Sequence, residues 1–235
     1  NLREIIENKR KLGEDIWPAI GYRSYLTQPN KDILPLSGTP DQYTLLCVDH
    51  DGPVIYKSDR YGFRNDDYIW NENKIDNVLL GDSYVHGNCK DDDTIFPGII
   101  KKKYEKTLNL GMIGSGPLLQ YAILKEYAQS KKPKKVFWFF YENDLKDLEF
   151  EYKNKILLKY ANKDFSQELL NKQEQINTIK NKKSFASFLN HADKKNTRNL
   201  ISDITKISKL TRLRKKLSLV YGWKNLESSK YLKKI

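Results

Sequence analysis

The sequence predicts an α/β fold built on a parallel sheet. Three observations carry this. From Asp76 to Tyr141 there are short, unbroken apolar runs; helix-like segments alternate with them; and each run ends in a turn built on Gly or Asn. Strands buried on both faces read as continuous apolar stretches, and their alternation with helices marks a sheet covered on both sides.

Composition sets the bounds. The 235 residues are 39% hydrophobic and 31% charged, enough for one large domain or a domain with an arm. The formal charge of +12 is mostly lysine spread along the chain. Nucleic-acid binding calls for basic clusters interleaved with exposed aromatics; the sequence has none, so no nucleic-acid partner is expected. No stretch reaches the ~18 apolar residues of a membrane span. Cys47 and Cys89 lack metal-ligand spacing; one disulfide is possible, but free buried thiols are the expected state, and the redox compartment stays open. The chain starts at Asn1 without a signal-type apolar region, so an N-terminal piece removed or not recorded is expected, and localisation is not legible.

Residues 1–25 read as a helix with Ile5, Ile6, Leu12 and Ile16 on one side, ended by Pro18 and Gly21. Tyr43–Val48 and Pro53–Ser58 read as a hairpin joined by Asp49-His50-Asp51-Gly52. Residues 1–70 thus form an N-terminal arm with a helix and a short β-hairpin. Asn77–Leu80 is a buried strand, followed by a turn and a helix through about Tyr104. Thr107–Leu110 is a second strand and Leu118–Ala128 a second helix, with Leu119, Ile123 and Tyr127 on one face. Pro133 precedes a third strand, Val136–Tyr141, whose aromatic run reads as a buried central strand. Residues 71–150 hold this α/β unit.

Residues 151–235 change character. They are lysine-rich, lack strand candidates and read as helices over Lys153–Tyr160, Ser166–Lys180 and Leu200–Leu219, a helical insertion or cap. The last segment, amphipathic and basic, can touch an anionic membrane, though packing on the sheet is the simpler reading. Three parallel strands make a poor core, so the α/β unit is expected to be incomplete at its C-terminal side, with more of it beyond Ile235.

In open parallel sheets, ligands bind beyond the carboxyl ends of the strands. Ser83, Gly114 and Asn143 each lie just past such an end in three successive β-α units, so they are expected to share one crevice. A serine hydroxyl there can attack an ester carbonyl once a base takes its proton. The Ser83 and Gly114 N–H groups and the Asn143 side-chain amide can receive the oxyanion. The plainer alternative makes Gly81 and Gly87 turn residues, Gly111, Gly114 and Gly116 a loop, and Asn143 a helix cap. Val85 stands where a Gly-x-Ser-x-Gly elbow has its second glycine, which sets this turn apart from that motif.

Gly81-Asp82-Ser83, Asn109-Leu110-Gly111-Met112-Ile113-Gly114 and Glu142-Asn143-Asp144 resemble, in order, blocks I, II and III of the SGNH (GDSL-type) hydrolases. The resemblance spans about residues 76–146. It implies a flavodoxin-like three-layer fold and serine esterase chemistry through an acyl-enzyme. Ser83 matches the nucleophile, Gly114 and Asn143 the oxyanion residues, and Asp82 and Asp144 positions read as structural. Tyr141 replaces a glycine frequent in the family, and the block V Asp-x-x-His is absent.

No local histidine replaces it well. His86, three residues past Ser83, packs or caps more simply than it acts as a base. His191 has Phe188 where the motif wants Asp, and His50 lies in a polar turn. The base is therefore expected beyond Ile235. Asp91-Asp92-Asp93 lacks calcium-loop spacing and reads as solvated charge near a helix N-terminus. The expected function is hydrolysis of a small-molecule or carbohydrate ester, such as an O-acylated carbohydrate or lipid, without cofactor or metal. The alternatives are an O-acyltransferase on the same site or a non-catalytic binding module of the same fold.

Overall fold

The computed structural model describes residues 2–21 and 32–179. Helix α1 (Leu2–Lys11) carries Glu4 in its first turn and Lys9, Arg10 and Lys11 in its last, both favoured by the helix dipole. It is shorter than the sequence suggested. Gly13, at φ +87°, takes the left-handed C-terminal conformation, and the Gly13 and Glu14 N–H groups close onto the Arg10 and Lys9 carbonyls. Ile16 is consequently a strand residue: β1 (Ile16–Pro18) runs parallel to β2 (Tyr43–Asp49). The expected hairpin is present, with β2 antiparallel to β3 (Gly52–Lys57) and a bulge between Leu45 and Cys47. Ile6, Ile16 and Leu45 form the small core of this unit.

The second sheet is wholly parallel. It contains β4 (Asn77–Leu80), β5 (Thr107–Asn109) and β6 (Lys135–Trp138) in the order β5-β4-β6. Every residue of β4 and β5 is buried, and the polar Asn77, Thr107 and Asn109 among them are hydrogen-bonded. The order corrects one expectation: β4 is the central strand, and β6 is an edge among the described residues. The connection from β4 leads to β5 on one side, and the connection from β5 passes back across β4 to β6 on the other; a local apolar run carries no information about that direction. The side chains from Val136 to Tyr141 are between 38% and 58% exposed, so a segment with the composition of an interior strand stands at an edge.

The helix expected through Tyr104 is two helices. The first, α2 (Ser83–His86), stops at Gly87, whose φ of +106° serves as a left-handed cap. The second, α3 (Phe96–Lys103), restarts with Pro97 near its N-terminus. Helix α4 (Pro117–Ile123) continues through a π-helical turn over Leu124–Ala128. Then come α5 (Asp144–Glu151) and α6 (Lys155–Lys159), the latter capped by the Asn154 side chain.

Residues after 151 join the main core. Leu157, Tyr160, Leu169 and Ile176 pack in one cluster with Val78, Leu80, Leu108 and Ile123. Buried Glu126 accepts from Tyr160 Oη (2.5 Å), Ser166 Oγ and the Gln167 and Leu169 N–H groups. Gln167 in turn pairs with the Leu34 backbone through both its amide atoms. The Leu200–Leu219 helix and His191 lie outside the described residues.

One further correction concerns the cysteines. Cys47 and Cys89 form a disulfide, with Cα atoms 5.7 Å apart and a sequence separation of 42. It joins β2 to the loop after α2, where the Lys90 ammonium also pairs with Asp49. Linear spacing could not show that these two segments meet.

Candidate functional site

The site grows from the carboxyl end of β4. Leu80 O accepts from Phe139 N–H at 2.8 Å, while Gly81 O accepts from Met112 N–H and Ser115 Oγ, both at 3.1 Å. The loops after β5 and β6 are therefore both sewn to the turn after β4. Gly81 leaves no room for a side chain, since a Cβ would collide with Val85 and approach Phe139 O to 3.1 Å. Asp82 then caps α2, its Oδ1 accepting from Tyr84 N–H at 2.9 Å. Ser83 follows as the first residue of α2, half-buried.

The second loop is held from below. Asn109 donates through Nδ2 to Val85 O and accepts Gly111 N–H on Oδ1, both at 2.9 Å. Gly111 lies so close to α2 that a Cβ would collide with the Val85 and His86 backbone. Asn65 pairs with the Asn109 backbone on both sides, accepting its N–H and donating to its carbonyl at 2.9 Å each. Asn65 also bonds Asp59, which accepts from the Tyr61 and Phe63 N–H groups and Trp70 Nε1 as well. Burial pushes the Asp59 carboxyl up to about 6 against the pull of these donors. Gly114 has φ +70°, a left-handed value that favours glycine, and faces open space.

Asn143 completes the expected trio. Its Nδ2 donates to Asp82 Oδ2 at 3.2 Å and to Asp147 Oδ2 at 3.4 Å. The structure thus brings Asn143 to the residue preceding Ser83, with its amide donors turned toward carboxylates. Asp144, a position read as structural, is buried and accepts from Tyr141 N–H at 2.9 Å. Desolvation pushes its carboxyl up to about 6, the Tyr141 N–H pulls it back, and the Asp82 and Asp147 charges push it further up.

His86 is not placed as a base. Its ring is buried, meets Tyr56 edge-on and lies 3.1 Å from Tyr56 Oη through Nε2. Burial, with the Arg64 charge nearby, pushes its pKa down to about 3, so it is neutral. His50 is exposed in the β2–β3 turn.

Two site residues were missed in the sequence. Asp147 and Glu151 lie on the buried side of α5, three and seven residues after Asp144. That spacing places all three carboxylates on one helix face. The signal was legible as a helix whose buried stripe is acidic instead of apolar. Among the described residues, no group of three or more His, Cys, Asp or Glu side chains is arranged to hold a metal ion. A separate cavity of about 400 Å³ lies beside α3, lined by Arg64, Asp66, Tyr68, Asp92 and Lys101 among others, and none of Ser83, Gly114 and Asn143 lines it. No protein-family model, curated protein or solved structure gives a significant match to this chain.

Proposed function

We propose that this chain carries the nucleophile and oxyanion half of an SGNH-type serine ester hydrolase. The observation that carries the reading is the joining of three loops at one end of a parallel sheet. Gly81 O is bonded from the Gly111–Gly116 loop, and Asp82 is bonded from Asn143. The strand order β5-β4-β6 supports a flavodoxin-like arrangement, because that sheet begins with its first strand between the second and third.

In the proposed reaction Ser83 Oγ adds to the ester carbonyl carbon as its proton passes to a base. The carbonyl oxygen, now negative, is met by the Ser83 and Gly114 N–H groups and by Asn143 Nδ2. Collapse of the adduct expels the alcohol, protonated by the base, and leaves an acyl-serine. Water then repeats the sequence and releases the acid. For Asn143 to serve, its amide must exchange a carboxylate partner for the oxyanion.

The base is proposed to lie beyond Ile235, on an Asp-x-x-His segment. Exposed β6 supports this, since a further strand added there would bury its aromatic run. A non-catalytic binding module is the second reading, favoured by the engagement of Asn143 with Asp82 and Asp147. Fluorophosphonate labelling of the chain extended past Ile235, with acylated sugars as competitors, tests the first reading. Labelling lost in Ser83→Ala supports it. A serine that stays unlabelled in the extended chain overturns it in favour of the binding module.

A further inference from the structure

Glu151 is fully buried at the last turn of α5, the helix that follows directly from Asn143. Its carboxylate does not serve its own helix. Oε1 accepts from Gly116 N–H at 2.6 Å, and Oε2 accepts from Leu118 N–H at 3.0 Å and Leu119 N–H at 3.3 Å. These are donors that the first turn of α4 leaves without partners. Gly116, at the cap position, supplies no side chain to satisfy them, and Pro117 has no N–H to offer.

The contact is also steric. A Cβ on Gly116 would lie 2.8 Å from both Glu151 Oε2 and Leu148 N, so the α5 backbone rests directly on the cap of α4. Gly114 is two residues upstream of that cap. One helix therefore holds Asn143 at its start and, near its end, grips the loop that carries Gly114. A Ser or Asp at position 116 would satisfy the same N–H groups without linking the two elements.

We propose that Glu151 is a positioning residue that fixes the Gly114 loop against the helix beginning at Asn143, and so sets the spacing of the two oxyanion donors. This rests on the hydrolase reading above. Burial raises the Glu151 carboxyl to about 7, the three N–H groups pull it down, and Asp147 on the same helix pushes it up. What α4 presents to the carboxylate is backbone N–H alone, so its ionisation and the loop's position are coupled. Asp82 and Asp147 are the carboxylates that Asn143 bonds, and Asp144, next to Asn143 in sequence, is pushed up by both of their charges.

The test is a pH titration of backbone and side-chain amide resonances in the 235-residue chain. Gly116, Leu118 and Leu119 are expected to shift with a midpoint near that of Glu151, and the Gly114 N–H and the Asn143 side-chain amide to shift with them. In Glu151→Gln that common step disappears, while a separate step from Asp144 persists at Asn143. If Glu151→Gln does not fold, Asp144→Asn serves, because it strips the other step and leaves that of Glu151. Movement confined to Gly116, Leu118 and Leu119 overturns the proposal and leaves Glu151 as a helix cap only; absence of any such step overturns it too. In the extended chain, labelling of Ser83 by fluorophosphonate is expected to slow roughly tenfold to a hundredfold in Glu151→Ala and to recover in part in Glu151→Gln. A serine that is never labelled, with the amide coupling intact, counts against the hydrolase reading and not against the positioning role.

Discussion

Asn143 donates its side-chain amide to Asp82, the residue immediately before Ser83, across 3.2 Å. Sixty-one residues separate the two in sequence. The same Asp82 caps α2 through its other oxygen. One carboxylate therefore orients the candidate nucleophile's helix and parks the candidate oxyanion amide beside it.

Asp82→Ala is expected to lower stability by about 1–3 kcal/mol, combining a lost N-cap with a lost hydrogen bond to a buried charge. Asp82→Asn keeps the cap oxygen and is expected to cost less. Urea denaturation monitored by circular dichroism reads both. Equal losses in the two variants would show that the cap contributes nothing.

The disulfide gives a larger effect. Closing a loop with the 42-residue separation of Cys47 and Cys89 is worth about 4 kcal/mol in the chain-entropy account. Cys47→Ser with Cys89→Ser, or reduction of the native chain, is expected to lower the melting temperature by many degrees. A melting curve indifferent to dithiothreitol would mean that the packing of β2 on the loop after α2 holds without the bridge.

His86 makes stability depend on pH in a definite direction. Its folded pKa of about 3 lies below the ordinary value of 6.5, so the unfolded chain binds the proton more readily. The stability conferred by burying a neutral ring is complete above about 6.5 and is lost as pH falls toward 3. Between pH 7.5 and pH 5 the loss attributable to this residue is about 2 kcal/mol. Asp59, Asp144 and Glu151, with raised pKa values, act in the opposite sense, so the measurement is a comparison with His86→Phe. The wild type should lose more stability than the variant over that interval; parallel pH profiles would refute the assignment.

What the sequence revealed and what it hid follow from the range of the forces involved. Asn77–Leu80 was legible because burial on both faces imposes an apolar run, here Val78, Leu79 and Leu80; Thr107–Asn109, with Leu108 alone apolar, was legible only from its place in the alternation of strands and helices. The hairpin was legible because its turn chemistry is local. The rule that loops gather at strand ends led to the expectation that Ser83, Gly114 and Asn143 share one crevice; the bonds to Gly81 from Met112 and Ser115, and to Asp82 from Asn143, join the loops that carry them. The position of β6 at an edge did not follow, because a crossover's direction is decided by packing across the whole sheet. The Cys47–Cys89 pairing depends on how the hairpin docks beside α2, and no spacing encodes that. Gly87 was read as a turn residue, and its left-handed φ ends the short helix α2. The spacing of Glu151 from Asp144 and Asp147 was legible as an acidic helix face, but its role was not, because its partners are backbone N–H groups, which leave no trace in side-chain identity.

The state of His86 also bears on catalysis by the chain alone. Its Nε2 is engaged with Tyr56, and the ring, on the last residue of α2, is buried and neutral. His50 sits at the far turn of the hairpin. Neither can take the Ser83 proton without rearrangement, and a serine hydroxyl is a weak nucleophile without a base. The 235-residue chain is therefore expected to hydrolyse p-nitrophenyl acetate no faster than its Ser83→Ala variant, at any pH from 6 to 9. Robust turnover abolished by Ser83→Ala would refute this and return His86 to consideration. A Tyr56→Phe variant then decides the matter, because freeing the ring from its hydroxyl partner should raise that turnover if His86 is the base and leave it unchanged if it is not.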